Sequence, residues 1–281
     1  MSNITPAPFL ADLKRMDYER YILCMFAAAK HRDDLAALFL FNAELAHVRD
    51  QVTEPLLGQM RLQWWRDGLS ALGTTAQPQH AILNHFAALT RRGVDLAPLQ
   101  LLIDAREHDL ADHAFPNTAA YQHYQMATTR PLALIAAEII EQPAAAEDFA
   151  AALAHYAQIG LLRVLPLWLR RHALPLPPDL LAAHGIDGDA WLAEKPQPAL
   201  PTLIRTIVAE QTNKITALRQ KLASMPRPAR RAAAPLLLHN DLANFYAAQL
   251  RRHHYDVMQQ NRTTPHPLRL PYLLWRILRA Y

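Results

Sequence analysis

Glycine is scarce in this chain, at seven residues in 281. A parallel α/β sheet needs a tight turn at nearly every strand–helix junction, and glycine takes the left-handed backbone that such turns use. The supply is too small for that architecture. Alanine, leucine and arginine dominate instead, and all three are strong helix formers. With 51% of residues hydrophobic, the chain can bury a substantial core. It is read as all-α.

Prolines and the few glycines mark where helices stop and start. They place helices over 8–30, 33–52, 55–71, 81–91, 96–113, 119–141, 144–172, 201–223, 228–258 and 267–280. Asp33 is positioned to cap the second helix, Pro55 falls in the first turn of the third, and Gly93 ends the fourth. Pro166 is expected to kink the helix over 144–172. The stretch 173–192 is punctuated by proline and should hold short helical turns at most. No repeat, low-complexity linker or composition break divides the chain, so 1–281 is expected to form one compact domain.

The formal charge of +4 is unevenly spread: residues 1–140 carry a net −3 and residues 141–281 a net +7. A basic half fits an anionic membrane surface, nucleic acid or an acidic partner, and equally an arginine-rich surface with no specific partner. No dense Lys/Arg run with interleaved aromatics occurs, which argues against nucleic acid. Arg219, Lys221, Arg227, Arg230 and Arg231, around Pro226, are the candidates for peripheral contact with an anionic membrane. Cys24 is the only cysteine, so an intramolecular disulfide and a cysteine metal cluster are both excluded. It reads as a core residue in a reducing compartment. The first residues show no signal or import pattern, and no run of 18 uncharged apolar residues appears. The expectation is a cytoplasmic protein, peripheral at most on the inner face of the plasma membrane.

The segment "FNAELAHVRDQVTEPLLGQMRLQWWRDGL", residues 41–69, holds the chemistry. Asn42, Ala46 and Asp50 are four apart and share one face if the helix over 33–52 is continuous. Two carboxylates at i and i+4 would present oxygen ligands to Mg²⁺. Here alanine takes one position and asparagine another, which leaves a single acid. The histidines offer no alternative: His108 and His113 are five apart, His253 and His254 are adjacent, and neither pair has helical zinc spacing. No glycine-rich phosphate loop, nucleophile elbow or Cys–His signature is present.

"ALFLFNAELAHVRD" and "MRLQWWRDGL" resemble the first aspartate-rich helix and the following Trp-Arg helix of the squalene and phytoene synthases. The aspartate motif of that family falls on Ala46, His47 and Asp50, with two of three acids missing. The family's second motif aligns with "LLRVLPLWLRRHALPLPPDLL". There Leu162, Arg163, Arg170 and Arg171 match, but the acid positions hold Val164 and Trp168. The chain is more similar to a non-catalytic branch, the complex I assembly factor 6 proteins, whose pattern is met by Phe41, Asn42, Glu44, Leu45, Ala46, Val48 and Asp50. Gly58, Met60, Arg61, Gln63, "LPPDLLAAHGI" and "LPYLLWRILRAY" extend this resemblance over nearly the whole chain.

The resemblance implies a helical fold of the trans-isoprenyl diphosphate synthase type around a central cavity, with the helices of Phe41 and Arg163 facing each other. It implies no catalytic residues and no metal. Asn42, Glu44, Asp50, Arg61, Gln63 and Arg163 remain as candidate ligand-binding remnants. Glu44 and Asp50 either keep a ligand contact or pair with Arg61, Arg66 or His47. Arg163 either meets a diphosphate beside Arg170 and Arg171 or pairs with Asp50 in the core. Trp64 and Trp65 either line a prenyl tunnel or split between core and surface. The implied function is assembly of respiratory complex I through contact with its subunits or assembly intermediates, with no cofactor. The alternatives are a divergent prenyltransferase, which would need Mg²⁺, and a carrier of an isoprenoid or other lipid-like ligand.

Overall fold

The computed structural model describes residues 8–74, 80–110, 115–171, 173–258 and 266–281, with the side chains of 217 and 219 left aside. Fourteen α-helices occupy these residues and no strand occurs among them. They are α1 Pro8–Met16, α2 Tyr18–Met25, α3 Ala29–Ala46, α4 Pro55–Ser70, α5 Ala81–Arg91, α6 Pro98–Arg106 and α7 Thr118–Ile139. There follow α8 Ala146–Arg170, α9 Pro178–Ala183, α10 Gly188–Leu192, α11 Leu200–Lys214, α12 Thr216–Ser224, α13 Arg227–Arg252 and α14 Arg269–Ala280.

Punctuation residues set many of these bounds. Pro55, Pro98 and Pro178 each open a helix, where the missing N–H has no partner to lose. Gly93, at φ +91°, ends α5 in the left-handed region that lacks a Cβ penalty. Besides the one over 96–113, whose α-helix gives way after Arg106 to a 3₁₀ turn at Glu107–Leu110, three expected helices run differently. The one over 8–30 breaks at Asp17, whose carboxylate caps α2 by accepting from Arg20 N at 3.0 Å. The one over 201–223 breaks at Ile215 into α11 and α12. The third is the helix over 33–52: α3 starts four residues before Asp33, ends at Ala46, and is followed by a 3₁₀ turn at Arg49–Gln51.

The chain packs as two compact units. The first comprises Met1–Ala111, Ala127–Ala150 and Ala232–Leu236. Its centre is α3, where Asp34 to Ala43 are buried without interruption. A helix that is apolar all round must be enclosed by other elements, and α1, α2, α5 and α6 pack against it. Gly58 of α4 is a close-approach glycine: a Cβ there would lie 2.5 Å from Leu110 Cδ2. Cys24 is fully buried, and burial first, then Asp17, pushes its thiol far above the ordinary cysteine range, which makes it an inert core residue.

The second unit comprises Asp112–Met126, Ala151–Arg231 and Leu237–Tyr281. Its core draws Leu162 and Leu165 from α8, Trp191 from α10, Leu203 and Ile204 from α11, and Leu237, Leu242, Tyr246 and Leu250 from α13. α14 lies antiparallel on α13: Tyr281 and Arg276 reach Asp241, while Tyr272 packs on Phe245 at 5.1 Å between centroids. The stretch Pro143–Arg170, which includes α8, is long and apolar enough to cross a membrane by length and composition, at mean hydropathy 1.2. It includes Glu147, Asp148 and Arg163, so it is not a run of uncharged apolar residues. From Ala151 onward α8 contributes to the core of the second unit, where His155 Nδ1 lies 3.0 Å from Asn240 Oδ1.

Candidate functional site

The first motif lies on α3, α4 and α6 of the first unit. Asn42 is 3% exposed, and its Oδ1 accepts from Arg106 Nη2 at 3.2 Å. Arg106 Nη1 also donates to Asp109 Oδ2 at 2.9 Å. A fixed guanidinium therefore rests against the α3 face where the first carboxylate of an i, i+4 pair would stand. Ala46 supplies no ligand atom. Asp50 is exposed on the 3₁₀ turn, beyond the end of α3, so the three positions do not form one helix face. That exposure does not fit a core pairing through Asp50, one of the two readings of Arg163. Asp50→Ala should accordingly change stability by less than about 1 kcal/mol, which urea denaturation would read directly.

The other expected partners also fall elsewhere. Arg66 Nη2 is bonded to Asp104 and Glu107, each at 2.7 Å, rather than to Glu44 or Asp50. Its Nη1 donates to Gln63 Oε1 at 2.8 Å, and Gln63 Nε2 donates to Asp67 Oδ1 at 2.6 Å. Gln63 and Arg61 are exposed. His47 closes on Ala43 O at 2.8 Å. Glu44, half-buried, makes no ion pair among the described residues. Its charge opposes the dominant effect of burial, which lowers the basicity of His80. The tryptophans split as one of the two readings held: Trp65 is 5% exposed and Trp64 48%. Trp65 packs edge-on against Phe41 at 5.1 Å and His80 at 4.8 Å.

The second motif lies on α8. Leu162 is buried, and the Arg163 guanidinium stacks on the Tyr246 ring, 3.4 Å from its centroid. An arginine held flat on a buried aromatic face is in a cation–π contact and keeps its edge for other partners. Val164 and Trp168, on the same helix, are half-buried. Arg170 and Arg171 are exposed.

These donors do not fit a Mg²⁺–diphosphate centre. Each such ion takes oxygen ligands, among them one or two protein carboxylates beside water and phosphate oxygens, and the motif positions offer one exposed acid, an amide already bonded to arginine, an alanine, a valine and a tryptophan. Among the described residues no group of three Asp, Glu, His or Cys side chains is placed to share a metal. His113 lies outside the described residues. His108 sits in the 3₁₀ turn Glu107–Leu110, and His253 and His254 are exposed just past α13. A cleft of about 460 Å³ in the first unit, lined by Leu69, Ser70, Leu96, Ala97 and Gln100 among others, reaches the end of the motif segment at Leu69 but none of the candidate site residues.

The basic cluster around Pro226 is partly engaged within the protein. Arg227 Nε donates to Tyr281 O at 3.3 Å, and Arg230 Nη1 to Leu222 O at 3.3 Å. Lys221 and Arg231 are exposed, and the Arg219 side chain lies outside the description.

Three buried polar groupings escaped the sequence reading. Asp34, 5% exposed, is bonded to Arg92 Nη2 at 2.7 Å and His85 Nε2 at 2.8 Å. Burial raises its pKa, but those two partners outweigh burial and hold the carboxyl below the usual range. Tyr121 donates to Gln158 Oε1 at 2.8 Å inside the second unit, where Gln125 also meets Gln158. Asp241 receives Arg276 and Tyr281. Each joins residues dozens of positions apart, a distance that local periodicity does not report.

The all-helical architecture is that of the isoprenoid synthases. A dehydrosqualene synthase crystallised with a ligand superposes with TM-score 0.78 at 14% identity, covering 97% of this chain and 96% of that one. The squalene synthase HpnC from Alicyclobacillus acidocaldarius gives TM-score 0.75 at 16% identity, covering 88% and 93%. The squalene/phytoene synthase family model matches residues 13–270, and the chain belongs to that family. Among characterised relatives, the human and bovine proteins named NADH dehydrogenase (ubiquinone) complex I, assembly factor 6 are each 26% identical over 270 residues. That alignment covers 94% of this chain and 80% of each relative. A Drosophila melanogaster homologue of the same name is 27% identical over 194 residues, 65% of this chain and 57% of its own.

Proposed function

We propose that this protein is a non-catalytic member of the squalene/phytoene synthase family that assists assembly of respiratory complex I, binding complex I subunits or intermediates at an anionic membrane surface. The observation that carries the reading is the donor set at the two motif positions. Loss of diphosphate requires compensation of the charge that builds on the leaving group, and divalent cations held by carboxylates supply it. Ala46, Val164 and Trp168 cannot hold such an ion, and Arg106 puts a fixed positive charge beside Asn42. Without the ions, ionisation would lose several kcal/mol of transition-state stabilisation, a rate loss of roughly a thousandfold or more. A fold kept without its chemistry serves binding, and the assembly-factor relatives align over most of this chain. The same reading places the protein in the cytoplasm at the inner face of the plasma membrane, with no cofactor.

Two measurements test it. Affinity purification from detergent-solubilised membranes should recover complex I subunits, and a preparation free of them would count against the assembly role. Incubation with farnesyl diphosphate and Mg²⁺ should release no diphosphate above the protein-free rate. Turnover abolished by Asp50→Ala would instead establish a divergent prenyltransferase.

A further inference from the structure

α14 buries Leu273, yet it also turns several large apolar residues outward and two of its three arginines inward. Arg269 is only 8% exposed, and Arg276 points inward to Asp241. Leu268, Leu270, Leu274, Trp275 and Leu278 face solvent, with Leu278 75% exposed. Positions 270, 274, 275 and 278 form one stripe along the helix. Exposed leucines scattered singly need no explanation, but a contiguous stripe marks a surface that something covers.

The surrounding charge identifies what covers it. Residues 227–281 hold nine arginines and two aspartates. Asp241 is buried, which leaves Asp256, half-buried, as the one acid facing outward. Arg231, Arg251, Arg252 and Arg279 are exposed, and Arg279 lies 5.6 Å over the Trp275 ring beside the stripe. An apolar strip with a tryptophan and an exposed arginine beside it, in a basic stretch of chain, complements anionic headgroups above acyl chains. A second copy of the same face would bring arginine against arginine, which disfavours self-association.

We propose that α14 is an interfacial helix that seats Leu270, Leu274, Trp275 and Leu278 in the headgroup region of an anionic bilayer. This deepens the membrane site of action proposed above, and it does not depend on which complex the protein serves. It also differs from attachment through the cluster around Pro226, where Arg227 and Arg230 already bond within the protein.

The test is co-sedimentation of the full chain with phosphatidylcholine vesicles, with and without phosphatidylglycerol. The protein should bind the anionic vesicles only, and less as salt rises. Leu274→Glu/Leu278→Glu should weaken binding on the order of tenfold or more, and Arg279→Gln by about fivefold. Both sites are exposed, so the melting temperature should hold. Quenching of tryptophan fluorescence by brominated lipid, lost in Trp275→Phe, reports insertion without relying on the glutamate variants. Equal binding to neutral vesicles, or binding unchanged in the double variant, would overturn the proposal. Absence of vesicle binding with a concentration-dependent dimer lost in the double variant would overturn it in favour of a second copy. No respiratory protein is present in the assay, so its failure is distinct from failure of the complex I purification.

Discussion

Phe41→Ala should destabilise the protein by about 3–5 kcal/mol, measured by urea denaturation followed by circular dichroism. Phe41 is fully buried on α3. It meets Trp65 of α4 at 5.1 Å and Phe86 of α5 at 5.4 Å, both edge-on. Truncation removes the transfer energy of the ring and two aromatic contacts, and it leaves a cavity among three helices that cannot all close on it. Phe41→Leu should cost less, roughly 1–2 kcal/mol, because most of the volume remains. A loss below about 1 kcal/mol for the alanine variant would show that the site collapses freely and that α3 is not the organising helix. The result matters for function as well. It would place Phe41, the first residue of the family pattern on α3, among residues retained to hold the fold.

The contrast between Phe41 and Asp50 shows where sequence reasoning ran well and where it stopped. Helix class and many bounds were legible because they depend on local chemistry. Pro55 opens α4, Gly93 closes α5, and the glycine-poor, alanine- and leucine-rich composition leaves no sheet to build. The missing carboxylates were legible too, since absence of a ligand atom needs no coordinates. Geometry was less accessible. Asp50 was read as the end of a continuous helix, but α3 stops at Ala46 and the following 3₁₀ turn carries Asp50 into solvent. The arginine that does meet the motif comes from α6, 64 positions from Asn42. A pairing at that separation is set by tertiary packing, which local sequence patterns do not report. The same limit hid the outward leucines and inward arginines of α14. The sequence bounds the helix, and packing, including the Asp241–Arg276 pair, fixes which face turns inward.

That inward face leads to the second large effect, expected for Arg276→Met. Asp241 has a side chain only 4% exposed, with Arg276 Nη2 2.8 Å from Oδ1 and the Tyr281 hydroxyl donating to Oδ2 at 2.9 Å. Burial, then the neighbouring carboxylate, raises the Tyr281 hydroxyl well above the ordinary tyrosine range, so it remains a donor. Removing the guanidinium takes the Arg276 charge from a buried carboxylate that keeps its Tyr281 bond, and breaking a buried pair from one side typically costs about 3–5 kcal/mol. Asp241→Leu should cost less, because Arg276 retains 30% of its side-chain exposure and can turn its charge to water. The double variant should recover much of the loss, since an apolar pair of similar volume carries no desolvation penalty. Urea midpoints of the two single variants and the double variant form the cycle, and a coupling of about 2 kcal/mol is expected. Additive effects would mean that the pair does not hold α14 to α13. With coupling, the arginine that a surface helix would turn outward is fixed inward, and that leaves Leu274 and Leu278 on the solvent side of α14.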